Sequence, residues 1–158
     1  MSDNKFLLKG ILTFSILSLL IAYFIQYILG HKPCNLCLIE RIPYGLSIFL
    51  VALNFFLKKN TKFFILLLTL IFIFSFIISV YHFGIEQGFF QESPVCGLKD
   101  TGQILSKEEL LKQLSKNTVS CKDVTFRVFG LSLTTINIGL SLFLIILSTK
   151  NFINYGKF

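Results

Sequence analysis

Charged residues are scarce in this sequence of 158 residues: Asp, Glu, Lys and Arg together make up only 15%, whereas hydrophobic residues make up 54%. The mean hydropathy is +0.75. A soluble domain of this length cannot bury so much apolar surface, so the composition excludes a water-soluble protein and indicates a membrane protein. Internal repeats and low-complexity linkers are also missing from the sequence, which predicts a single domain over residues 1–158.

Four apolar stretches are long enough to cross about 30 Å of hydrocarbon as helices. They cover approximately residues 10–30, 37–57, 63–83 and 128–147. The first stretch follows two lysines, as a signal peptide does, but it is too long for a signal core and no small-residue cleavage site precedes His31. The predicted fold is therefore all-α, an integral membrane four-helix bundle that is in contact with membrane lipid.

The lysines predict the orientation of this bundle. A net charge of +7 often indicates nucleic-acid binding, but here the basic residues are scattered as membrane topology requires, so no nucleic acid is predicted. An even number of helices places both termini on the same side as the turn KKNTK (58–62). That side has one acid, Asp3, and seven lysines, namely Lys5, Lys9, Lys58, Lys59, Lys62, Lys150 and Lys157. The positive-inside rule makes this side cytoplasmic.

The longest segment outside the predicted helices is residues 84–127, on the non-cytoplasmic side. Within it, LSKEELLKQLSK (105–116) has the pattern of a short amphipathic helix, with Ser106 as candidate N-cap and Glu109 three residues later. Two interpretations of this helix stay open: it lies along the membrane surface, or it caps the bundle without a functional role.

All four cysteines lie on the non-cytoplasmic side of this topology: Cys34, Cys37, Cys96 and Cys121. An even number of thiols confined to an oxidising side predicts disulfides. Zinc held by four thiolates usually takes two closely spaced pairs, whereas 24 residues separate Cys96 from Cys121. The second pair therefore fits a loop-closing disulfide, worth roughly 3–4 kcal/mol in the chain-entropy model, better than a metal site.

The C-x-x-C pair closes only a very short loop, so it suits thiol–disulfide exchange better than structural stapling. Cys37 lies at the predicted start of the second helix, and Arg41 lies four residues later on the same face, so both the dipole and the guanidinium favour a Cys37 thiolate. An arginine at the apolar boundary is costly unless it is paired. Two interpretations stay open. Arg41 has only a structural role, as an ion pair with Glu40 or as an arginine that snorkels to the interface, or it supports the thiolate and an anionic or carbonyl-bearing ligand.

The electron acceptor follows by elimination. Nothing in the sequence is typical of a site for haem, a flavin nucleotide or an iron–sulfur cluster. Electrons that pass between two cysteine pairs at a membrane then need an acceptor that dissolves in the bilayer, and a quinone near Cys37 and Arg41 meets that need.

The segment CNLCLIER (34–41) resembles the C-x-x-C-x-x-E-R motif of the disulfide bond formation protein B (DsbB) family. Three further segments are similar to that family's sequence: YHFGIEQGFF (81–90), PVC (94–96) and FRVFGLSLTTIN (126–137). Members often have a tryptophan before the asparagine that corresponds to Asn137, whereas this chain has no tryptophan and has Thr135 and Ile136 there.

The resemblance implies a thiol:quinone oxidoreductase of the bacterial inner membrane with both termini in the cytoplasm. It implies that the enzyme reoxidises a periplasmic, DsbA-like thioredoxin-fold protein and reduces ubiquinone or menaquinone. By position, Cys96 would form the mixed disulfide with that partner. Cys121 would pair with Cys96 and exchange with Cys34, and Cys37 would make the thiolate-to-quinone contact.

The resemblance also implies that Arg41 holds the quinone. His82 falls where some members have a histidine near the quinone, and a histidine at a helix end in the membrane interface would occupy the same position. Two other functions stay open. A structural membrane protein would use its disulfides only as braces, and an enzyme resembling vitamin K epoxide reductase would have its C-x-x-C pair late in the chain rather than before the second helix.

Overall fold

The computed structural model describes residues 2–57, 60–91, 96, 119–122, 126–128 and 130–155. Within these residues the chain forms helices α1 (Ser2–Tyr27), α2 (Asn35–Ile39), α3 (Ile42–Leu57), α4 (Thr61–Glu86) and α5 (Leu133–Tyr155), with a hairpin of strands β1 (Arg127–Val128) and β2 (Leu131–Ser132) before α5. The amphipathic helix predicted at residues 105–116 lies outside the described residues.

Four helical segments are long and apolar enough to cross a membrane: Phe6–Tyr27, Asn35–Leu57, Thr61–Glu86 and Leu133–Ile153. The predicted all-α fold with four membrane-spanning helices is therefore confirmed. The outward side chains are also apolar, and Phe6, Phe49 and Phe56 are 78%, 62% and 85% exposed. Apolar surface of this extent is stable against lipid and unstable against water, as expected of a multi-pass membrane protein.

The second span is interrupted after its first turns. α2 ends at Ile39 and α3 begins at Ile42, with Glu40 and Arg41 in a turn between them. Pro43 lacks the N–H that would bond to the carbonyl of Ile39, and a missing bond of this kind is an ordinary cause of a helix break. The break lies inside the motif that the sequence singled out, so it decides where the side chains of Glu40 and Arg41 point.

The third span ends later than predicted. α4 continues past residue 83 to Glu86, and Gly88, with φ of 78°, follows in the left-handed conformation. The Phe89 N–H donates to the Gly84 carbonyl at 2.8 Å, which is the long hydrogen bond of a Schellman motif. Gly84, expected in the loop 84–127, therefore lies in the last turn of the helix.

The fourth span begins later than predicted, and the interpretation of residues 128 and 130–132 as helix is wrong. Arg127 pairs with Ser132 and Val128 pairs with Leu131 in an antiparallel hairpin. Gly130, with φ of 83°, permits the tight turn between the strands. The hairpin places Ser132 and the start of α5 beside the end of α4.

All four cysteines lie at one end of the bundle, where α1 ends, α2 begins, α4 ends and α5 begins; we call it the cysteine end. A buried cluster at this end contains Cys34, Leu36, Ile85, Cys96 and Cys121. A larger apolar core fills the rest of the bundle and includes Leu8, Ile11, Val51, Leu68, Phe72 and Leu144. The helices thus hold the sulfurs in a packed environment rather than on a free surface.

Candidate active site

The C-x-x-C pair occupies the first turn of α2. Cys34 is the N-cap residue, and its Sγ accepts a hydrogen bond from the Cys37 N–H at 3.2 Å. An N-cap side chain normally bonds the N–H three residues later, so the x-x spacing follows from the capping geometry. The same geometry brings the two Sγ atoms to 2.6 Å from each other. The pair is therefore placed to form and break a disulfide.

Cys96 and Cys121 form a disulfide across 25 positions of sequence. The two residues are 0% and 3% exposed. This confirms the prediction that the second pair is a disulfide.

The two cysteine pairs are neighbours. The Sγ atoms of Cys34 and Cys121 and a ring nitrogen of His82 all lie within 4.8 Å of one another. Thiol–disulfide exchange needs one sulfur to reach another, and here only a small displacement separates the pairs. The three atoms also have a spacing suited to a metal ion, but metals bind thiolates and Cys121 is held in a disulfide.

His82 connects the C-x-x-C pair to a buried carboxylate. Its Nε2 lies 3.5 Å from Cys34 Sγ, and its Nδ1 lies 3.0 Å from Glu40 Oε1. His82 is 1% exposed and Glu40 is 7% exposed. The interpretation that Glu40 pairs with Arg41 is wrong, because the Glu40 carboxylate contacts His82, whereas the Arg41 guanidinium contacts α1. His82 itself contacts the sulfur of Cys34.

Arg41 is held by α1. Its Nη1 donates to Gln26 Oε1 at 2.5 Å and its Nη2 donates to the Ala22 carbonyl at 3.5 Å. The guanidinium also lies over the ring of Tyr23, 5.1 Å from the ring centre. These contacts compensate the cost of a cation inside the apolar boundary without using a carboxylate.

A cavity of about 370 Å³ adjoins the sulfurs, within the range of small-molecule sites. Apolar side chains of α1 and α5, such as Ile25 and Leu140, form much of its wall. Cys37, Arg41 and His82 also line it. The set offers apolar walls for a flat ring and a guanidinium to donate to a carbonyl oxygen, beside a thiol.

A polar network that the sequence motifs do not predict lies behind His82. Asn137 Nδ2 donates to Glu40 Oε2 at 3.1 Å and to Ser79 Oγ at 2.7 Å. Asn137 Oδ1 in turn accepts from the Tyr44 hydroxyl at 2.5 Å. The bond from Asn137 satisfies Glu40 Oε2, the carboxylate oxygen that does not face His82, and the other two bonds hold the Asn137 side chain in place.

Glu86 and Thr134 were missed as well. Thr134 Oγ1 lies 3.3 Å from His82 Nδ1 and donates to Glu86 Oε1 at 2.6 Å. Ser132 Oγ donates to the other oxygen, Glu86 Oε2, at 2.7 Å. A signal was present, because Ser79, His82 and Glu86 are spaced three and four residues apart on one face of an otherwise apolar span, where polar side chains usually have a function.

The electrostatics favour a thiolate at Cys34. The hydrogen bond from the Cys37 thiol and the contacts with His82 lower the pKa of Cys34 from 9.0 to about 5, although burial acts in the opposite direction. The sequence pattern predicted a stabilised thiolate only at Cys37, because a single sequence does not show that His82 lies beside Cys34.

The sequence model of one protein family, described as disulfide bond formation protein DsbB, matches residues 4–150 and so includes all four cysteines. An uncharacterized protein of Rickettsia prowazekii (strain Madrid E) is 30% identical over 138 residues, which cover 86% of this chain and 80% of that protein. No solved structure matches the chain.

Proposed function

Because the chain belongs to the family of disulfide bond formation protein DsbB, we propose that this thiol oxidoreductase reoxidises a soluble thioredoxin-fold protein and delivers the electrons to a membrane quinone. The observation that best supports the proposal is the separation of at most 4.8 Å between the sulfurs of Cys34 and Cys121. That proximity links a disulfide closing a long segment to a C-x-x-C pair beside a cavity, which disulfides serving only as braces do not need.

The proposed reaction begins at the Cys96–Cys121 disulfide. A partner thiolate attacks Cys96, a partner–Cys96 disulfide forms, and Cys121 leaves as a thiolate with the electron pair. Cys121 then attacks Cys34, the Cys34–Cys37 bond breaks, and Cys37 leaves as a thiolate. The second partner thiol attacks the partner–Cys96 disulfide and releases Cys96 as a thiolate. Cys96 then attacks Cys121, so the Cys96–Cys121 disulfide forms again and Cys34 leaves as a thiolate. The low pKa of Cys34 makes it a good leaving group at this step.

A bound quinone, ubiquinone or menaquinone, supplies the oxidant by accepting two electrons and two protons. The cavity residues support this assignment. Arg41 is anchored to α1 and lines the cavity, so its guanidinium can hold a carbonyl oxygen without moving. Cys37 and His82 line the same cavity, so the sulfur that gives up the electrons is adjacent to the place where the acceptor would bind.

We place the protein in the bacterial inner membrane with both termini in the cytoplasm, as the lysine distribution favours. The cysteine end then faces the periplasm, where thiols are oxidised and where a DsbA-like partner would be located. Cys96 and Cys121 are 0% and 3% exposed, so a soluble partner reaches their disulfide only after this end of the protein opens.

A trapping experiment tests the proposed function. In Cys121→Ser, the Cys96 thiol can attack the disulfide of an oxidised periplasmic thioredoxin-fold protein, and Cys121 is no longer present to resolve the product. Rapid acid quenching retains the mixed disulfide before the partner's second thiol reverses the reaction. We expect a mixed disulfide that disappears on reduction and is missing from the matched Cys96→Ser, Cys121→Ser variant. If Cys121→Ser forms no adduct in membranes that contain the partner, the cysteines only brace the fold.

A further inference from the structure

We propose that Glu86 and Thr134 form, together with His82, a proton-transfer chain between the thiol site and the water at the cysteine end. The inference rests on the proposed function and adds the residues that provide its protons. Both residues lie in segments that resemble the DsbB family, YHFGIEQGFF (81–90) and FRVFGLSLTTIN (126–137), but the resemblance gives neither of them a role.

The reaction releases and consumes protons at different places: the two partner thiols lose two protons in water, and the quinone takes up two protons at the cavity. Each exchange step breaks one S–S bond, forms another and moves one electron pair onto the leaving sulfur, which departs as a thiolate without a proton. The reduction of a quinone nevertheless consumes two protons with the two electrons. His82, which lines the cavity, is only 1% exposed and cannot take these protons directly from water.

The described side chains provide one continuous path. Cys34 Sγ lies 3.5 Å from His82 Nε2, and His82 Nδ1 lies 3.3 Å from Thr134 Oγ1. The Thr134 hydroxyl is 2.6 Å from Glu86 Oε1 and donates to it. The step starts from an imidazole that carries its proton on Nε2 and from a Glu86 carboxyl that carries a proton. The Thr134 hydroxyl turns from Glu86 to Nδ1, which also faces Glu40 Oε1 at 3.0 Å, and gives its proton to Nδ1 while the Glu86 proton replaces it. The Nε2 proton leaves toward the sulfur and the cavity.

Glu86 is the most exposed residue of this path, and it also lines the cavity. It is the last residue of α4 and is half-buried, whereas Glu40 is 7% exposed and hydrogen-bonded through both oxygens. Ser132 of the β-hairpin fixes the second oxygen of Glu86, which keeps the first one on Thr134. The other ionisable groups around His82 are Glu40, Cys34 and Cys121, and none of these has an equivalent route outward.

Two variants and one control test the path. Thr134→Val removes the hydroxyl at nearly constant volume, Thr134→Ser retains it, and Thr69→Val removes a hydroxyl that only bonds the Ile65 carbonyl of its own helix. The first readout needs no quinone: a rapid downward pH jump on the reduced, quinone-free protein, with the loss of the Cys34 thiolate followed by its ultraviolet absorbance.

We expect the protonation rate of Cys34 to fall at least about tenfold in Thr134→Val and to recover in Thr134→Ser. Tenfold is a lower limit, because a positioned proton-transfer group typically contributes roughly 10²–10⁴-fold to a rate. Thr69→Val should match the wild type. The second readout is quinone reduction by a reduced partner. It should slow in Glu86→Gln and recover when formate is added as a diffusible proton donor, while the sulfur-exchange steps keep their rate.

The two possible failures are distinguishable. An unchanged pH-jump rate in Thr134→Val, or a Glu86→Gln defect that formate does not relieve, overturns the proton path even if the wild type reduces quinone. A wild-type protein that exchanges no disulfide with any thioredoxin-fold partner and reduces no quinone overturns the proposed function, and the path with it.

Discussion

One buried acid–base pair organises the residues around the C-x-x-C motif. Glu40 Oε1 faces His82, and Glu40 Oε2 accepts from Asn137. A carboxylate without partners at this depth would be costly in a membrane protein, so these two bonds are what make a buried Glu40 tolerable. The pair also fixes the imidazole with Nε2 toward Cys34, which is how a residue 48 positions away comes to act on that sulfur.

The first prediction at this scale concerns pH. Because the pKa of Cys34 is lowered to about 5, its thiolate persists as the pH falls from 9 and is lost only as the pH passes through about 5. His82→Gln removes the imidazole that stabilises the thiolate, so the alkylation rate of Cys34 at pH 6 should drop roughly tenfold for each unit that its pKa rises above that pH. Mass spectrometry of the reduced protein measures the rate at Cys34 separately from Cys37.

The matched control for this prediction is His31→Gln, which changes the only other histidine. Its alkylation profile should coincide with that of the wild type. A His82→Gln protein whose Cys34 still reacts at the wild-type rate at pH 6 would show that the imidazole does not stabilise this thiolate.

The second prediction at this scale concerns Arg41. Arg41→Ala should raise the KM for quinone at least about tenfold, the loss expected when one hydrogen bond from a charged donor is removed, while partner exchange at Cys96 continues. Steady-state kinetics with a soluble quinone analogue measures the change. Arg127→Ala, which removes an exposed arginine from β1, is the control and should leave KM unchanged. An unchanged KM in Arg41→Ala would show that the guanidinium does not bind the quinone.

At the scale of the elements, the spans could be predicted because hydropathy over about 20 residues reports directly on membrane burial. The residues at which the spans begin and end could not be predicted in this way. The hairpin is short and contains the apolar residues Val128 and Leu131, so a hydropathy window of about 20 residues joins it to the helix that follows. The break at Glu40 and Arg41 follows from Pro43, but its effect on Glu40 depends on how α2 is rotated against α4, and a single sequence does not contain that angle.

The prediction at this scale concerns the end of α4, which positions Glu86 and leads toward Cys96. Gly88 has φ of 78°, so Gly88→Ala should lower the free energy of unfolding by about 1–2 kcal/mol, the cost of a side chain in the left-handed conformation. Gly139→Ala is the control, since it lies within α5 and its new Cβ meets nothing within 4 Å. Thermal unfolding in detergent measures both; a Gly88→Ala protein as stable as Gly139→Ala would contradict the cap.

At the scale of the whole molecule, the arrangement of the sulfurs follows from topology. An even number of spans and a one-sided distribution of lysines predicted that all four cysteines would be together, and the structure places them at one end. The approach of Cys121 to Cys34 was expected only from the family resemblance. It depends on the path of residues far apart in sequence, and spacing alone does not specify which sulfurs of two pairs come into contact.

The most direct test of the account is whether the two pairs exchange through Cys34 and Cys121. The double variant Cys37→Ser, Cys96→Ser retains only these two thiols. Mild oxidation in native membranes, followed by acid quenching and peptide mass spectrometry, should recover a Cys34–Cys121 disulfide, because the sulfurs start within 4.8 Å of each other. If both residues are instead recovered as free thiols under conditions in which the wild type forms Cys96–Cys121, electrons do not pass between the pairs and the account is contradicted.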